Sequence, residues 1–185
     1  KWNGAKGAQE IRYYPGSPVW VRQLLRPLDR MVLTELHPED RLRLKQTFAQ
    51  DKQVAVHHLD GYQALKAFLP PKENRGLVFI DPPYEDGVAD QRAVEQALVT
   101  VLERLPSAVV ALWYPIKDRR DTDAWLERLR ARLPKPPDAP AVPALVTELC
   151  LLPSDNRVGL NGSGMLVLNP PWQIDIQAAQ WLPAK

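Results

Sequence analysis

Gly76-Leu-Val-Phe-Ile-Asp-Pro-Pro-Tyr-Glu-Asp86, GLVFIDPPYED, runs four apolar residues of strand length straight into an acid, two prolines and a tyrosine. A buried strand ending this way aims a carboxylate and an aromatic ring out of the end of a sheet. The two prolines hold the backbone stiff between them, because each ring fixes φ near −65°.

Similar runs occur at 31–35, 54–60 and 108–114, and three of the four end in an acid: Glu35, Asp60 and Asp81. Helical patterns lie between them. Pro38 suits a first helical position, with Glu39 and Asp40 in the first turn and Leu44 and Phe48 one turn apart. Val94, Leu98, Leu102 and Leu105 form one stripe, and 118–133 repeats the period through Trp125, Leu126 and Leu129. The mixed charges of that last run read as a solvated face. Near-continuous apolar runs imply strands covered on both faces. Beyond a Pro-rich link at 134–143, strand candidates at 144–152 and 164–169 follow closely enough to form an antiparallel pair at one edge. The expected fold is α/β, a mostly parallel sheet with an antiparallel edge pair. Ligands bind such folds beyond the carboxyl ends of the strands, which directs attention to Glu35, Asp60 and Asp81.

Composition narrows the classes. A length of 185 residues suits one domain, and 45% apolar with 25% charged residues excludes disordered and fibrous chains. The formal charge of +2 is too small to imply a nucleic-acid or membrane surface by itself. Nineteen prolines indicate stiffened loops. Cys150, the one cysteine, lies in an apolar run and reads as a buried structural thiol, so neither a disulfide framework nor a Cys/His zinc site is available. His37, His57 and His58 lack metal-ligand spacing, and no metal is expected. No apolar run approaches the ~20 residues of a membrane helix and no leader pattern opens the chain, so a soluble cytoplasmic protein is expected.

The strand-end residues suggest chemistry. Glu35 is placed to accept hydrogen bonds from the two hydroxyls of a ribose, or equally to serve as a surface acid or helix cap. Asp60-Gly61 sets an acceptor beside a residue without Cβ, against which a flat ring could lie, though a bare turn reads the same way. Asp81-Pro82-Pro83-Tyr84 supplies a carboxylate and carbonyl acceptors with no competing local donor, beside a ring on which a base could stack at ~1–3 kcal/mol. Those acceptors suit an exocyclic amino group, whose nitrogen is a poor nucleophile until hydrogen bonds turn it toward pyramidal geometry. Asn169-Pro-Pro-Trp172 follows the same logic with an amide for the acid. It comes after the last strand, outside the parallel series, and reads as a structural turn or outer wall. Ser17, ahead of Pro18 and an apolar helix, is an N-cap candidate, and such a helix start can also hold a carboxylate.

In order along the chain, RYYPGSP, LTELHPED, Asp60-Gly61-Tyr62, GLVFIDPPYE, ALWYPI and GMLVLNPPW closely resemble the bacterial ribosomal RNA large subunit methyltransferase J family, over roughly residues 10–182. Asp-Pro-Pro-Tyr alone is common to many adenine-N6 and cytosine-N4 methyltransferases; the Tyr-Tyr-Pro-Gly-Ser-Pro and Leu-Trp-Tyr-Pro runs narrow the match. The resemblance implies a Rossmann-like enzyme that uses S-adenosylmethionine to methylate N6 of an adenine in 23S ribosomal RNA. It implies cofactor contacts at Ser17, Glu35, Asp60, Gly61 and Asp81, and a catalytic loop of Asp81, Pro82 and Tyr84. Members begin with a basic segment and a strand ending in a Gly-rich loop, whereas KWNGAKGAQE matches neither. Residues 1–185 are therefore expected to form a single, incomplete methyltransferase domain without its first βα unit, a monomer inactive in isolation. Two rivals stand beside this reading: a DNA adenine or cytosine amino-methyltransferase, and a non-catalytic RNA-binding module on a degenerate methyltransferase fold.

Overall fold

The computed structural model describes residues 14–135, 140–153, 156 and 159–181. The chain divides into two compact units, Lys1–Ala64 and Leu65–Lys185. In the first lie α1 (Ser17–Leu24), β1 (Met31–Thr34), α2 (Pro38–Thr47), β2 (Val54–His57) and the opening turn of α3 (Gly61–Phe68). The second holds β3 (Leu77–Ile80), α4 (Gly87–Arg104), β4 (Val109–Ile116), α5 (Arg119–Arg132), β5 (Ala144–Cys150), β6 (Gly162–Leu168) and α6 (Ile174–Trp181). Every strand lies within a few residues of its expected place; α3 and α6 were not foreseen.

In the first unit β1 and β2 pair in parallel, from Met31 opposite Val54 to Thr34 opposite His57. A polar clasp sets that register. Arg22 of α1 donates to Asp51 and, at 3.0 Å, to Gln53 Oε1, while Gln53 Nε2 donates to the carbonyls of Arg26 and Asp29, each at 2.7 Å. The residues entering both strands are thus tied together, and the two carboxyl ends come level at Thr34 and His57. Pro38 occupies the first turn of α2 with Glu39 and Asp40, as the macrodipole favours.

In the second unit the strand order is β3-β4-β6-β5, with β3 and β4 parallel and the β4–β6 and β6–β5 pairs antiparallel. The expected mostly parallel sheet is therefore realised as two sheets, the parallel β1–β2 pair and this four-stranded sheet of mixed pairing, in which the antiparallel pair does occupy one edge. Burial alternates strictly along β4 and β6. Val110, Leu112, Tyr114, Leu166 and Leu168 join Val94, Leu98 and Leu102 of α4 and Trp125 and Leu129 of α5 in the core. Among the described residues this is the closed face; the other positions of β4 are half-buried and Leu77 and Phe79 of β3 are exposed. Coverage on both faces was expected from the apolar runs, but such a run reports tolerance of burial rather than burial itself. Cys150 corrects a second expectation: it is exposed, because β5 is the edge strand and its last residues face outward.

β4 extends two residues beyond the predicted end, through Pro115. Val109 N–H donates to Gly76 O, so the odd-numbered positions of β4 face β3, and β3 has already ended opposite Leu112. The donor that Pro115 lacks would therefore meet no strand, which is where a sheet tolerates proline. Among the described residues no helix is long and apolar enough to cross a membrane.

Candidate active site

Asp81 follows the last residue of β3, Ile80, which pairs with Leu112 at the carboxyl end of the parallel ladder. Its side chain reaches solvent, yet partial burial among the surrounding atoms pushes its carboxyl above the usual value. The chain then turns sharply. Tyr84 has φ of 52°, a region a bulky L-residue adopts only under constraint from its surroundings.

The constraint is visible. Tyr84 is 6% exposed, its ring lies 6.0 Å from that of Trp113 and 6.2 Å, edge-on, from Trp125, and its hydroxyl donates to the Trp113 carbonyl at 3.0 Å. That carbonyl sits on the side of β4 where β3 has ended, and the tyrosine supplies the hydrogen bond that a longer β3 would have made. Here the structure corrects the sequence reading: the ring expected to offer a stacking face points into the core, where two tryptophans occupy its surroundings. Tyr84 anchors the loop from below, leaving Asp81 outward. Tyr84→Phe, which removes only the hydroxyl and leaves the Trp113 carbonyl unpaired, is expected to cost about 1 kcal/mol in chemical denaturation, with the midpoint falling and the slope unchanged.

The loop runs into α4 through Gly87, at φ 40°, and Asp86 N–H donates to Asp90 Oδ2 at 2.8 Å, closing the first turn. Asn169-Pro-Pro-Trp172 lies elsewhere. Leu168 pairs with Val110 at the start of β4, so this turn stands at the opposite end of the sheet from Asp81. The Asn169 amide donates to the carbonyls of Pro106 and Ala108 at 2.8 and 2.9 Å, and its N–H to Pro143 O at 2.9 Å. It is the structural turn that its place in the sequence suggested.

In the first unit Glu35 and Asp60 extend beyond the carboxyl ends of β1 and β2. Glu35 Oε1 accepts the His37 N–H at 2.7 Å. Asp60 Oδ1 accepts the N–H groups of Tyr62 and Gln63, each at 2.9 Å, and so caps α3. Each carboxylate is oriented by one oxygen, and no donor among the described residues is within hydrogen-bond reach of the other. This donor-seeking pair fits a diol and an amino-bearing ring. At Gly61 neither backbone nor packing demands glycine: an added Cβ would meet only Thr34 Oγ1, at an ordinary 3.6 Å. Ser17 is the first helical residue of α1, and Gly16, which has no side chain to cap with, takes the N-cap position. The N-cap reading of Ser17 is thereby corrected by one residue; Pro18 already supplies the fixed φ that starts the helix. Among the described residues no group of three or more His, Cys, Asp or Glu could hold a metal ion.

Parallel strands with acids at their carboxyl ends, flanked by helices and an antiparallel edge, define a Rossmann-like methyltransferase fold. A candidate rRNA-methylase from Clostridium thermocellum shares it at a TM-score of 0.53 and 9% identity, over 82% of this chain and 81% of that one. More particularly, the chain belongs to the family described as Ribosomal RNA large subunit methyltransferase D, RlmJ, whose sequence profile matches residues 3–184. It is 41% identical over 174 residues to the Ribosomal RNA large subunit methyltransferase J of Escherichia coli (strain K12) and 41% identical over 177 residues to that of Haemophilus influenzae (strain ATCC 51907 / DSM 11121 / KW20 / Rd). These matches cover 94% and 96% of this chain but 59% and 60% of the relatives, so the chain spans about three-fifths of their length. A crystal structure of a Legionella pneumophila str. Philadelphia 1 protein superposes at a TM-score of 0.82 with 32% identity, covering 94% of this chain and 61% of that one.

Proposed function

We propose that the protein transfers a methyl group from S-adenosylmethionine to the N6 amino group of an adenine in 23S ribosomal RNA. The observation that carries this reading is Asp81: a partly desolvated carboxyl at a strand end, facing solvent on a loop pinned from below by Tyr84. Its family's name supports the substrate class.

The cofactor supplies an electrophilic methyl group, so transfer forms a nitrogen–carbon bond as a sulfur–carbon bond breaks and the amine sheds a proton. Asp81 accepts hydrogen bonds from the amino group, raises the density on its nitrogen, and takes the proton that leaves. A carboxyl whose proton affinity exceeds the ordinary is better suited to that last step. Pro82 contributes a carbonyl acceptor and rigidity. Tyr84 acts as a positioning residue, holding the loop through Trp113.

For the cofactor we assign Glu35 to the ribose hydroxyls, Asp60 to a polar group of the base, and Gly61 to close approach of the ring, since the fold itself does not demand glycine there. Ser17, at a helix start, is assigned to the amino-acid end. We also read the protein as a monomer acting on its RNA without a metal.

The test is transfer of labelled methyl from S-adenosylmethionine by the full-length protein, offered deproteinised large-subunit rRNA and, separately, duplex DNA. Label recovered as N6-methyladenine from rRNA alone is the expected result. Label in DNA alone would turn the reading to a DNA amino-methyltransferase, and rRNA binding without label would turn it to a binding module.

A further inference from the structure

We infer that a groove between α4 and α5 grips the phosphodiester backbone of the RNA strand flanking the target base, through Arg92, Arg128 and Arg132; this rests on the function proposed above. The groove has a volume of about 490 Å³. The three arginines come from two helices and meet along it, with Val88 and Ala131 as small apolar residues of its wall.

The guanidinium groups are held in two successive rungs. Arg128 Nη2 donates to Gln91 Oε1 at 3.3 Å, and Arg132 Nη1 donates to Glu95 Oε2 at 2.6 Å. Each rung is one helical turn further along both helices, so α4 and α5 run side by side in the same direction here and the two arginines stand about 6 Å apart along the axis. Arg92 stands on α4 between the rungs, exposed, and no acceptor among the described residues is within hydrogen-bond reach of it.

Charge bookkeeping favours an anion. Three cations face a single acid, Glu95, which is 5% exposed and committed to Arg132. The nearby Asp90 turns an oxygen to the Asp86 N–H at the helix start. Three arginine forks, two of them about 6 Å apart along the axis, suit a run of phosphates better than a lone ion, because the planar guanidinium meets phosphate oxygens two at a time. α4 begins three residues after Tyr84, and Arg92 is only about 8 Å along its axis from Gly87. A strand that delivers a base to Asp81 has this groove beside its path.

The mixed charges of 118–133 separate in space: Asp121, Asp123 and Glu127 are not groove residues, whereas Arg128 and Arg132 are.

The experiment compares the full-length protein with R92E/R128E, which leaves the Arg132–Glu95 pair intact, and with R92K/R128K as a charge-conserving control. Binding of a labelled rRNA fragment is measured over a salt series, alongside methyl-transfer kinetics. The reversal is expected to weaken RNA binding at least about 10-fold and to reduce the salt slope by about 1.4, two contacts at ~0.7 each for a single strand. KM for RNA should rise while kcat at saturating RNA stays within about twofold, and the lysine variant should retain most binding. If the unmodified protein methylates rRNA but the reversed variant binds with unchanged affinity and slope, the groove is not the grip and the proposed function stands. If the unmodified protein neither binds nor methylates rRNA, both readings fall. Should the reversal lower the melting temperature, R92A/R128A applies the same criteria with a halved charge change.

Discussion

Asp81→Ala is expected to lower methyl transfer to rRNA by about 10³-fold while leaving the fold intact. General-base assistance alone is typically worth 10² to 10⁴, and loss of a preorganised hydrogen-bond partner at a reacting centre 10² to 10³, so one group in both roles reaches the middle of that span. The loss should fall on kcat, because in the proposed role Asp81 acts on the amine as its charge develops rather than on RNA affinity. Asn169→Ala is the matched control. It breaks bonds to Pro106 and Ala108 at the far end of the sheet, so it should cost stability and leave the chemistry alone.

The sign of the pH dependence follows from the same residue. In the proposed role Asp81 must be ionised to accept a proton, and its carboxyl is raised above the ordinary 3.8 by burial. Activity is therefore expected to fall, as pH decreases, through a value above 3.8. Stability runs the other way: a carboxyl raised on folding binds its proton more tightly in the folded state, so stability at this group is lost as pH rises from the unfolded value through the folded one. Above that window the ionised group is a burden, and Asp81→Asn should melt no lower than the unmodified protein at neutral pH. A melting temperature several degrees lower would show that Asp81 serves the fold instead.

Gly164→Ala carries the largest stability effect. Gly164 pairs with Tyr114 across β4 and β6, and the tyrosine ring lies directly over it: an added Cβ would fall 2.1 Å from Cζ and 2.4 Å from the hydroxyl oxygen. The ring cannot swing away. Tyr114 is fully buried, stands edge-on to Trp125 at 5.7 Å, and donates its hydroxyl to Glu148 Oε1 at 2.8 Å. Glu148 is held in turn by Arg119 at 2.6 Å. Burial and the Glu148 carboxylate push the phenol well above its usual value, so it stays protonated and keeps donating. One methyl group must displace a ring fixed by three elements, at a cost of about 3 kcal/mol or more, at the upper end for overpacking. For a chain of this size that is a fall of roughly 6–12 °C in melting temperature. Adding Tyr114→Leu, which empties the space, should recover part of it; a single variant melting within 2 °C of the parent would show that the strands part more easily than their packing implies.

How much of this was legible without coordinates differs from one residue to the next. Periodicity located β1 to β6 within a few residues, because alternation and the helical repeat act between near neighbours and leave their trace in the chain. Asp81 was legible for the same reason: an acid at the end of an apolar run, stiffened by Pro82 and Pro83, is a local arrangement. Glu35 and Asp60 came with it, as acids closing two further strands. Ser17 was misplaced by one residue, since Gly16 and Ser17 compete for the cap and only the backbone decides between them.

Tertiary structure alone decided the rest. Tyr84 could have faced outward on any local reading; it turns inward because Trp113 and Trp125, 29 and 41 residues further on, leave room for a ring and an unpaired carbonyl for its hydroxyl. Asn169-Pro-Pro-Trp172 mirrors Asp81-Pro-Pro-Tyr84 in sequence and opposes it in space, because β6 runs antiparallel to β4. The requirement for glycine at 164 exists only because register sets Tyr114 across from it. Arg92 and Arg128 come to one groove because the helices bearing them pack side by side. Local rules act over a few residues, and each of these facts depends on groups brought together from far along the chain.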